Sequence, residues 1–214
     1  YGRGVSDNKG PAIAALYALR AVKELGIPLK HKVQLILGSD EERGFSDVRW
    51  YRENYPLPPK IFTPDASFPV VNTEKGHLEM TITASGGEGP VLSIQGGTVA
   101  NAVPAECTAK LRGLDVQKVR SAAAQVRAEF TVEEVGDTVT VTCIGKASHA
   151  ARPEGGVNAI SAMLELLSRL EIGDGADAAA IKAVAGAMPF GDWKGDAIDA
   201  YCEDRESGGL TVNL

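Results

Sequence analysis

The chain has 214 residues, of which 44% are apolar and 23% are charged, and its net charge is −6 at pH 7. This size and composition allow a buried core, while the negative charge disfavours nucleic acid as a partner and no apolar run reaches the roughly 18 residues of a membrane helix. The three cysteines are widely spaced without a CxxC, which indicates reduced, mostly buried thiols in a cytoplasmic protein.

The first third of the chain predicts alternating strands and helices. Pro11 suits a first helical turn, Gly26 a helix end, and Ser46 a helix N-cap. The apolar run VQLIL is typical of a buried parallel strand. The predicted elements are helices at 11–25 and 46–55 and strands at 33–37 and 61–63. This order predicts an α/β domain with a mainly parallel sheet, whose ligands bind at the carboxyl ends of the strands.

After about residue 77 the pattern changes to alternating strands and amphipathic helices. Strands are predicted at 78–84, 130–135 and 138–144, with a hairpin turn at Gly136-Asp137. Helices are predicted at 116–130 and 157–170. We therefore expect two domains, an α/β domain at 1–77 and an α+β domain of ferredoxin-like type at 78–214.

Four acidic residues follow or end the apolar runs of the first domain: Asp7, Glu41, Glu42 and Asp65. Any one of them alone is most simply a helix cap or a solvated loop charge. Together, at the tips of neighbouring strands, they have the chemistry of a metal site, because carboxylate oxygens bind divalent cations. An adjacent Glu pair can supply one metal ligand and one general base.

The motifs around these acids resemble the dinuclear-zinc metallopeptidases that include PepV-type dipeptidases, carnosinases, aminoacylases and succinyl-diaminopimelate desuccinylases. The matching stretches are GRGxxDxKGP around Asp7, GxDEExG around Glu41 and Glu42, and PDAxFPV around Asp65. Further matches are EKG at 74–76, GGTVANAVP at 96–104 and GKASHAARPEGGVNAI around His149. The resemblance covers essentially the whole chain in order, and it predicts a zinc-peptidase catalytic domain followed by a lid.

The resemblance implies a role for each acid at two zinc ions, with Mn²⁺ or Co²⁺ as alternative metals. Asp7 bridges the two ions, Glu42 binds one of them and Asp65 binds the other. Glu41 acts as general base, taking a proton from the attacking water and passing it to the leaving amine. The resemblance also implies that the peptide bond Asp7-Asn8 is cis.

Two residues of the second domain complete the implied site. A lone loop histidine is usually a surface or capping residue, but the setting of His149 resembles the lid motif in which this residue stabilises an oxyanion. Asn101 resembles a second lid residue that contacts the substrate. In some members of the family the lid forms a homodimer. Pro11 after Gly10, and Asp at position 65, favour a dipeptidase that acts on dipeptides.

The resemblance leaves part of the family's pattern unmatched. An upstream His ligand, a C-terminal His ligand and a carboxylate-binding Arg have no counterpart, and His31 and His77 match no ligand position. We therefore expect a fragment that lacks both ends of the catalytic domain, has a lid truncated at its C-terminal end, binds zinc weakly and is inactive alone. The alternatives are an N-acyl amino acid deacylase of the same family and a non-catalytic binding or assembly module.

Overall fold

A computed structural model of the chain describes residues 2, 4–66, 68–84 and 87–214. The chain divides into two compact units, Tyr1–Glu74 and Lys75–Leu214. Each unit has its own local structure and is described separately below.

The first unit contains two α-helices close to the predicted positions. Helix α1 spans Gly10–Glu24, with Pro11 in its first turn, and α2 spans Ser46–Asn54. Ser46 is the first residue of α2, so its predicted role as N-cap is wrong. The N-cap is Phe45, whose backbone is left-handed at φ 57° and which makes no side-chain capping hydrogen bond.

The predicted parallel sheet does not form among the described residues of the first unit. Residues 33–37 and 61–63 are in irregular conformation, so both strand predictions are wrong here. A strand exists only through hydrogen bonds to a neighbouring strand, and neither segment has such a partner in the described part of this unit. None of the described residues up to 74 is buried. The apolar runs are therefore present in the sequence, but they enclose no core.

The second unit is organised around one antiparallel sheet with strand order β1-β2-β4-β3. Its strands are β1 Val91–Gly96, β2 Glu106–Arg112, β3 Glu129–Val135 and β4 Thr138–Ile144. Strands β3 and β4 form the predicted hairpin, in which Val135 pairs with Thr138 across Gly136 and Asp137. Gly136 has φ 65°, a conformation that a two-residue hairpin turn needs and that glycine adopts readily.

Helices α3 and α4 pack on the sheet but are shorter than predicted. Helix α3 spans Val116–Ala123. The end of the predicted helix, from Glu129 onward, pairs with β4 and belongs to strand β3 instead. Helix α4 spans Ala159–Ser168, because the side chain of Asn158 caps it by accepting hydrogen bonds from the next turn. Helix α3 contacts β3, and α4 contacts β2 and β4.

Three further elements lie outside the predicted pattern. Helix α5 spans Ala176–Ala187 and packs on α4. Strands β5, Glu203–Asp204, and β6, Gly208–Gly209, form a two-residue antiparallel pair. The strand predicted at 78–84 is absent, since these residues are irregular and exposed. No helix in the described part of the chain is long and apolar enough to cross a membrane.

The core of the second unit lies between the sheet and its helices. It contains alternate residues of β2 and β4 and one face of α4, including Leu111, Val141, Met163, Leu166 and Leu167. Two cysteines lie in this core as partners on adjacent strands, and burial raises the pKa of Cys107 to about 11 and that of Cys143 to about 12. Cys202 is exposed. The prediction of buried thiols holds for two of the three.

The core position of Leu166 gives a stability prediction. Leu166 is fully buried in α4, whereas Leu92 in the same unit is 41% exposed. We expect Leu166→Ala to lower the free energy of unfolding by about 2–5 kcal/mol, because it removes packed methyl groups and leaves a cavity. Leu92→Ala should change it by about 0.5 kcal/mol or less. Urea unfolding followed by Trp193 fluorescence in a Trp50→Phe background measures both, and equal effects would contradict this core.

Candidate functional site

Asp7 lies in a distorted turn that leads into α1. The turn spans Val5–Lys9, and its helical geometry is interrupted at Asp7, which has φ −126° and ψ 99°. The peptide bond between Asp7 and Asn8 is cis, as the resemblance implied. Asp7 is therefore held in an irregular segment before α1, not at the tip of a strand.

Glu41 and Glu42 lie in a short 3-10 helix, Glu41–Arg43, that interrupts the loop before α2. Two aspartates hold this loop from either side. The Asp47 carboxylate accepts hydrogen bonds from the backbone N–H groups of Ser39 and of Asp40, the latter at 3.1 Å. The Asp40 carboxylate in turn accepts from the backbone N–H of Ser46 at 3.1 Å and from its hydroxyl. The Glu pair is thus presented from a loop that two ionised side chains brace.

These two bracing aspartates were not singled out from the sequence. Hydrogen bonds from Ser46 hold the pKa of Asp40 below its usual value, and hydrogen bonds from Ser39 and Val48 do the same for the pKa of Asp47. Asp before a turn is a known signal for side-chain to backbone hydrogen bonding, but the sequence does not show which N–H groups it will reach. Their role is to shape the loop.

Partial loss of hydration is the largest cause of a raised pKa at Glu41, and the negative charges of Glu42, Asp65 and Asp7 add to it. Like charges disfavour a second charge nearby, so the added part of the rise comes from carboxylates on three separate segments. The structure therefore brings the four predicted acids into one electrostatic neighbourhood, although Asp65 lies in irregular chain and not at a strand end.

This neighbourhood has the donor chemistry of a divalent-cation site but not its closed geometry. Carboxylate oxygens are suitable ligands for zinc, and a cation would relieve the mutual repulsion at Glu41. Among the described residues, however, no three His, Cys, Asp or Glu side chains are gathered closely enough to hold a metal ion. The residues present thus fit a metal by their chemistry, and by themselves they do not form its complete shell.

Asn101 and His149 lie on two segments of the second unit that are hydrogen-bonded to each other. The backbone N–H of Ala150 donates to the Asn101 carbonyl at 2.9 Å, and that of Val103 donates to the Ser148 carbonyl at 2.8 Å. Between these bonds, Ala102 and His149 form an isolated antiparallel pair. Asn101 and His149 are both exposed. The structure thus brings together the two lid residues that the resemblance implied.

The pairing of these segments differs by one residue from the register of β2 and β4. Glu106 pairs with Ile144, so the same register would place Ala102 opposite Ser148, yet its partner is His149. Side chains alternate between the two faces of a β-ribbon. A shift of one residue therefore places His149, instead of Ser148, on the same face as Ala102. His149 is exposed as a result, while the Ser148 hydroxyl is buried.

Gly156 makes room for this arrangement. A Cβ at position 156 would lie 2.6 Å from the Ser148 hydroxyl oxygen and 2.9 Å from the Lys146 carbonyl oxygen, which is closer than real contacts allow. Among the residues that the structure describes, the buried Ser148 hydroxyl has no hydrogen-bond partner. The second glycine of the Gly155–Gly156 step therefore has a packing reason in the fold.

A hydrogen bond orients the imidazole of His149. The backbone N–H of Ala151 donates to His149 Nδ1 at 3.1 Å. A ring nitrogen that accepts a hydrogen bond carries no proton, so in the neutral ring the proton is on Nε2. His149 therefore offers an N–H donor at Nε2, the kind of group that stabilises a developing oxyanion.

A cavity of about 380 Å³ adjoins the two segments in the second unit. Its walls include Gly97, Thr98 and Val99 from the glycine-rich loop, together with Ala102 and Ala147. This volume is within the range of small-molecule sites, which is about 300–1,000 Å³. The cavity thus lies beside the segments that carry Asn101 and His149, although neither of these two residues lines it.

Comparison with known proteins identifies the family of this chain. The family model described as "Peptidase family M20/M25/M40" matches residues 1–201, a range that includes all six predicted site residues. The chain belongs to peptidase family M20/M25/M40. Peptidases of this family are generally metal-dependent. The resemblance drawn from the motifs around Asp7, the Glu pair, Asp65 and His149 is confirmed at the level of the family.

Two relatives illustrate the similarity within the M20/M25/M40 family. The chain is 31% identical to the protein named "Putative dipeptidase YtjP" of Bacillus subtilis (strain 168), over 100% of this chain and 48% of the relative. It is 31% identical to the Beta-Ala-Xaa dipeptidase of Lactobacillus delbrueckii subsp. lactis, over 74% of this chain and 35% of the relative. The chain therefore spans about half the length of the first relative and less of the second.

The bracing of the Glu41-Glu42 loop gives a prediction for this M20/M25/M40 chain. We expect Asp47→Ala to speed hydrogen exchange at the amides of Ser39 and Asp40, because their common acceptor is removed. Glu53→Ala is the matched control, since it removes a like charge from the same helix α2 and should leave both amides unchanged. Two-dimensional NMR measures both variants, and unchanged exchange in Asp47→Ala would exclude the brace.

The same carboxylate should also titrate at an unusual pH. Because hydrogen bonds lower the pKa of Asp47 in the folded chain, its stabilising effect is complete above the ordinary value of 3.8 and is lost only as the pH falls through the lower, folded-state pKa. The Ser39 and Asp40 amide shifts should therefore change with a midpoint below pH 3.8. A midpoint at or above 3.8 would contradict the structure.

Proposed function

We propose that the protein is a zinc-dependent dipeptidase that hydrolyses the peptide bond of dipeptides in the cytoplasm. The observation that carries the proposal is the family match over residues 1–201, which includes Asp7, the Glu41–Glu42 pair and Asp65 on three separate segments. Partial loss of hydration and the charges of Glu42, Asp65 and Asp7 raise the pKa of Glu41, which agrees with this assignment. An arrangement of this kind is unfavourable without a cation. Membership of the M20/M25/M40 family and the dipeptidase names of the relatives support the same assignment.

In the proposed reaction the acids of the first unit have distinct roles. Asp7, Glu42 and Asp65 would hold two zinc ions, with Asp7 serving both, Glu42 one and Asp65 the other, and with Mn²⁺ or Co²⁺ as alternative metals. Bound zinc supplies Lewis acidity at the scissile carbonyl and at the attacking water. Glu41, which is left unligated, takes a proton from that water and then donates it to the leaving amine.

The second unit supplies the substrate-binding groups in this proposal. His149 donates its Nε2–H to the oxygen that gains negative charge, while the Ala151 N–H keeps Nδ1 as acceptor. Asn101 contacts the substrate from the neighbouring segment. The interaction needs a proton on Nε2, and the hydrogen bond that Nδ1 accepts from Ala151 favours the tautomer that carries it there.

The proposal predicts a large effect of Glu41→Gln in the complete gene product. We expect kcat to fall by about 10²–10⁴-fold with the zinc content unchanged, because the proton shuttle is lost and no ligand is removed. Glu42→Gln should lower the zinc content itself, and Glu53→Gln, on the exposed helix α2, should change neither. Steady-state kinetics and metal analysis measure these outcomes. Full activity of Glu41→Gln would eliminate the proposed base.

The substrate panel separates the dipeptidase from the deacylase of the same family. β-Alanyl and α-aminoacyl dipeptides should be hydrolysed, whereas N-acetyl and N-succinyl amino acids should not. The reverse preference would make the protein a deacylase. An absence of hydrolysis by the metal-loaded complete gene product across the whole panel would favour a binding or assembly module and overturn the proposal.

The 214-residue chain itself should bind zinc weakly and hydrolyse no dipeptide. Its described residues gather no set of three metal-binding side chains, so a bound ion would lack most of its protein ligands. Calorimetric titration with zinc should therefore show low affinity, and Asp7→Asn should reduce it further because it removes a carboxylate ligand. Tight binding of two zinc ions together with dipeptide hydrolysis by this chain would contradict the prediction.

A further inference from the structure

The side-chain amide of Asn213 joins the segment that carries Asn101 to the start of α4. Asn213 Nδ2 donates to the backbone carbonyl of Ala102 at 3.1 Å, and its Oδ1 accepts a hydrogen bond from Asn158 Nδ2 at 3.2 Å. Asn158 and Asn213 are both half-buried. Ala102 is the residue that pairs with His149. The amide therefore holds the carbonyl of Ala102, the residue that follows Asn101 and pairs with His149.

Asn158 connects this amide to the rigid part of the second unit. Its Oδ1 caps α4 by accepting from the N–H groups of Ile160 and Ser161, both at 3.0 Å. Its Nδ2 also donates to the Leu214 carbonyl at 2.9 Å. Helix α4 places seven of its residues in buried positions and is thus fixed by the core. The side-chain amides of Asn158 and Asn213 thus link the core helix α4 to the exposed loop that carries Asn101.

The amide of Asn213 makes both bonds of this path at once. It donates to a carbonyl on one side and accepts from an N–H group on the other, which suits the planar amide of Asn or Gln. An aspartate has nearly the same shape, but when ionised it has no donor and would face the Ala102 carbonyl with a like partial charge. A leucine of similar size would leave both neighbours without a partner.

The backbone that delivers Asn213 is itself held in place. The N–H of Val212 donates to the Trp193 carbonyl, and the N–H of Leu210 donates to the Cys202 carbonyl, both at 2.8 Å. The carboxylate of Asp192 accepts four backbone N–H groups from residues 194–197, which closes the turn after Trp193. Asn213 is therefore presented by ordered chain and can exert a positional constraint.

We propose that Asn213 is a positioning residue that keeps Asn101 and His149 in register by tying the Ala102 backbone to the cap of α4. The proposal rests on the function proposed above for Asn101 and His149. Asn213 itself touches neither of those side chains in the hydrogen bonds described, so it acts through the Ala102 backbone. Its loss should disturb the alignment of the oxyanion donor without removing it.

The structural part of the test uses the 214-residue chain. Asn213→Asp should shift the amide signals of Val103 and Ala150 and speed their exchange, because these amides join the two site segments. It should also broaden or shift the ring signals of His149, which are assigned against His149→Gln. Asn54→Asp is the matched control, since Asn54 Nδ2 also donates to a main-chain carbonyl, that of Trp50 at 2.8 Å in α2. Unchanged Val103 and Ala150 signals in Asn213→Asp would overturn the proposal.

The functional part uses the complete gene product. Asn213→Asp should lower kcat for a dipeptide by about 10–100-fold with a smaller change in KM, since a misplacement of about 1 Å costs up to about a hundredfold. In a His149→Ala background the same substitution should have little further effect, because the group that it positions is absent. A merely structural role would instead reduce the activity equally in both backgrounds, and that result would overturn the proposal.

The two parts distinguish the failure of this inference from the failure of the proposed function. If the complete gene product hydrolyses no dipeptide, the function proposed above is wrong, while the NMR comparison still decides whether Asn213 holds the two segments. If the wild type is active and Asn213→Asp is equally active, the dipeptidase assignment stands and the positioning role is rejected. Asn213→Gln, which keeps both hydrogen-bonding groups on a longer arm, should restore part of kcat.

Discussion

The antiparallel pairing of β2 with β4 is the constraint on which the placement of Asn101 and His149 depends. These strands are the two central ones of the sheet, and their inward residues form the core with α4. Beyond their ends the pairing continues through Gly145, whose N–H donates to the Ala105 carbonyl, to the pair Ala102–His149. A buried ladder therefore sets the position of two exposed side chains. The shift of one residue between the ladder and the pair decides that His149, not Ser148, lies opposite Ala102.

The candidate residues of each unit are held in place by different means. In the second unit, core packing and backbone pairing hold the segments of Asn101 and His149. In the first unit no described residue is buried, and the loop of Glu41 and Glu42 is held by the carboxylates of Asp40 and Asp47. Ionised braces of this kind resist proton binding, as the lowered pKa values of both aspartates show. Asp40 and Asp47 therefore stay ionised to a lower pH than a free aspartate, whereas Glu41 binds a proton at a higher pH than a free glutamate.

The surroundings of Glu41 bear directly on its proposed role as general base. Its raised pKa comes from loss of hydration and from neighbouring carboxylates, which are also the groups proposed as zinc ligands. The carboxylates that would bind a cation therefore also help to raise the pKa of the proposed base when no cation is present. At His149 the tuning is of another kind, because a backbone N–H selects the tautomer. The candidate residues of the first unit are thus charged carboxylates, and His149 in the second unit is a directed hydrogen-bond donor.

The sequence alone determined the family and the hairpin at Gly136, because short motifs and two-residue turns depend on local chemistry. The site residues that it suggested remain a prediction. It also predicted the cis bond after Asp7 through the resemblance. It failed for the strands at 33–37 and 61–63, since an apolar run becomes a strand only when a partner pairs with it. Only the tertiary structure decided that Asp40 and Asp47 brace the Glu pair and that Asn213 reaches Ala102, because these contacts join positions whose spacing along the chain carries no signal.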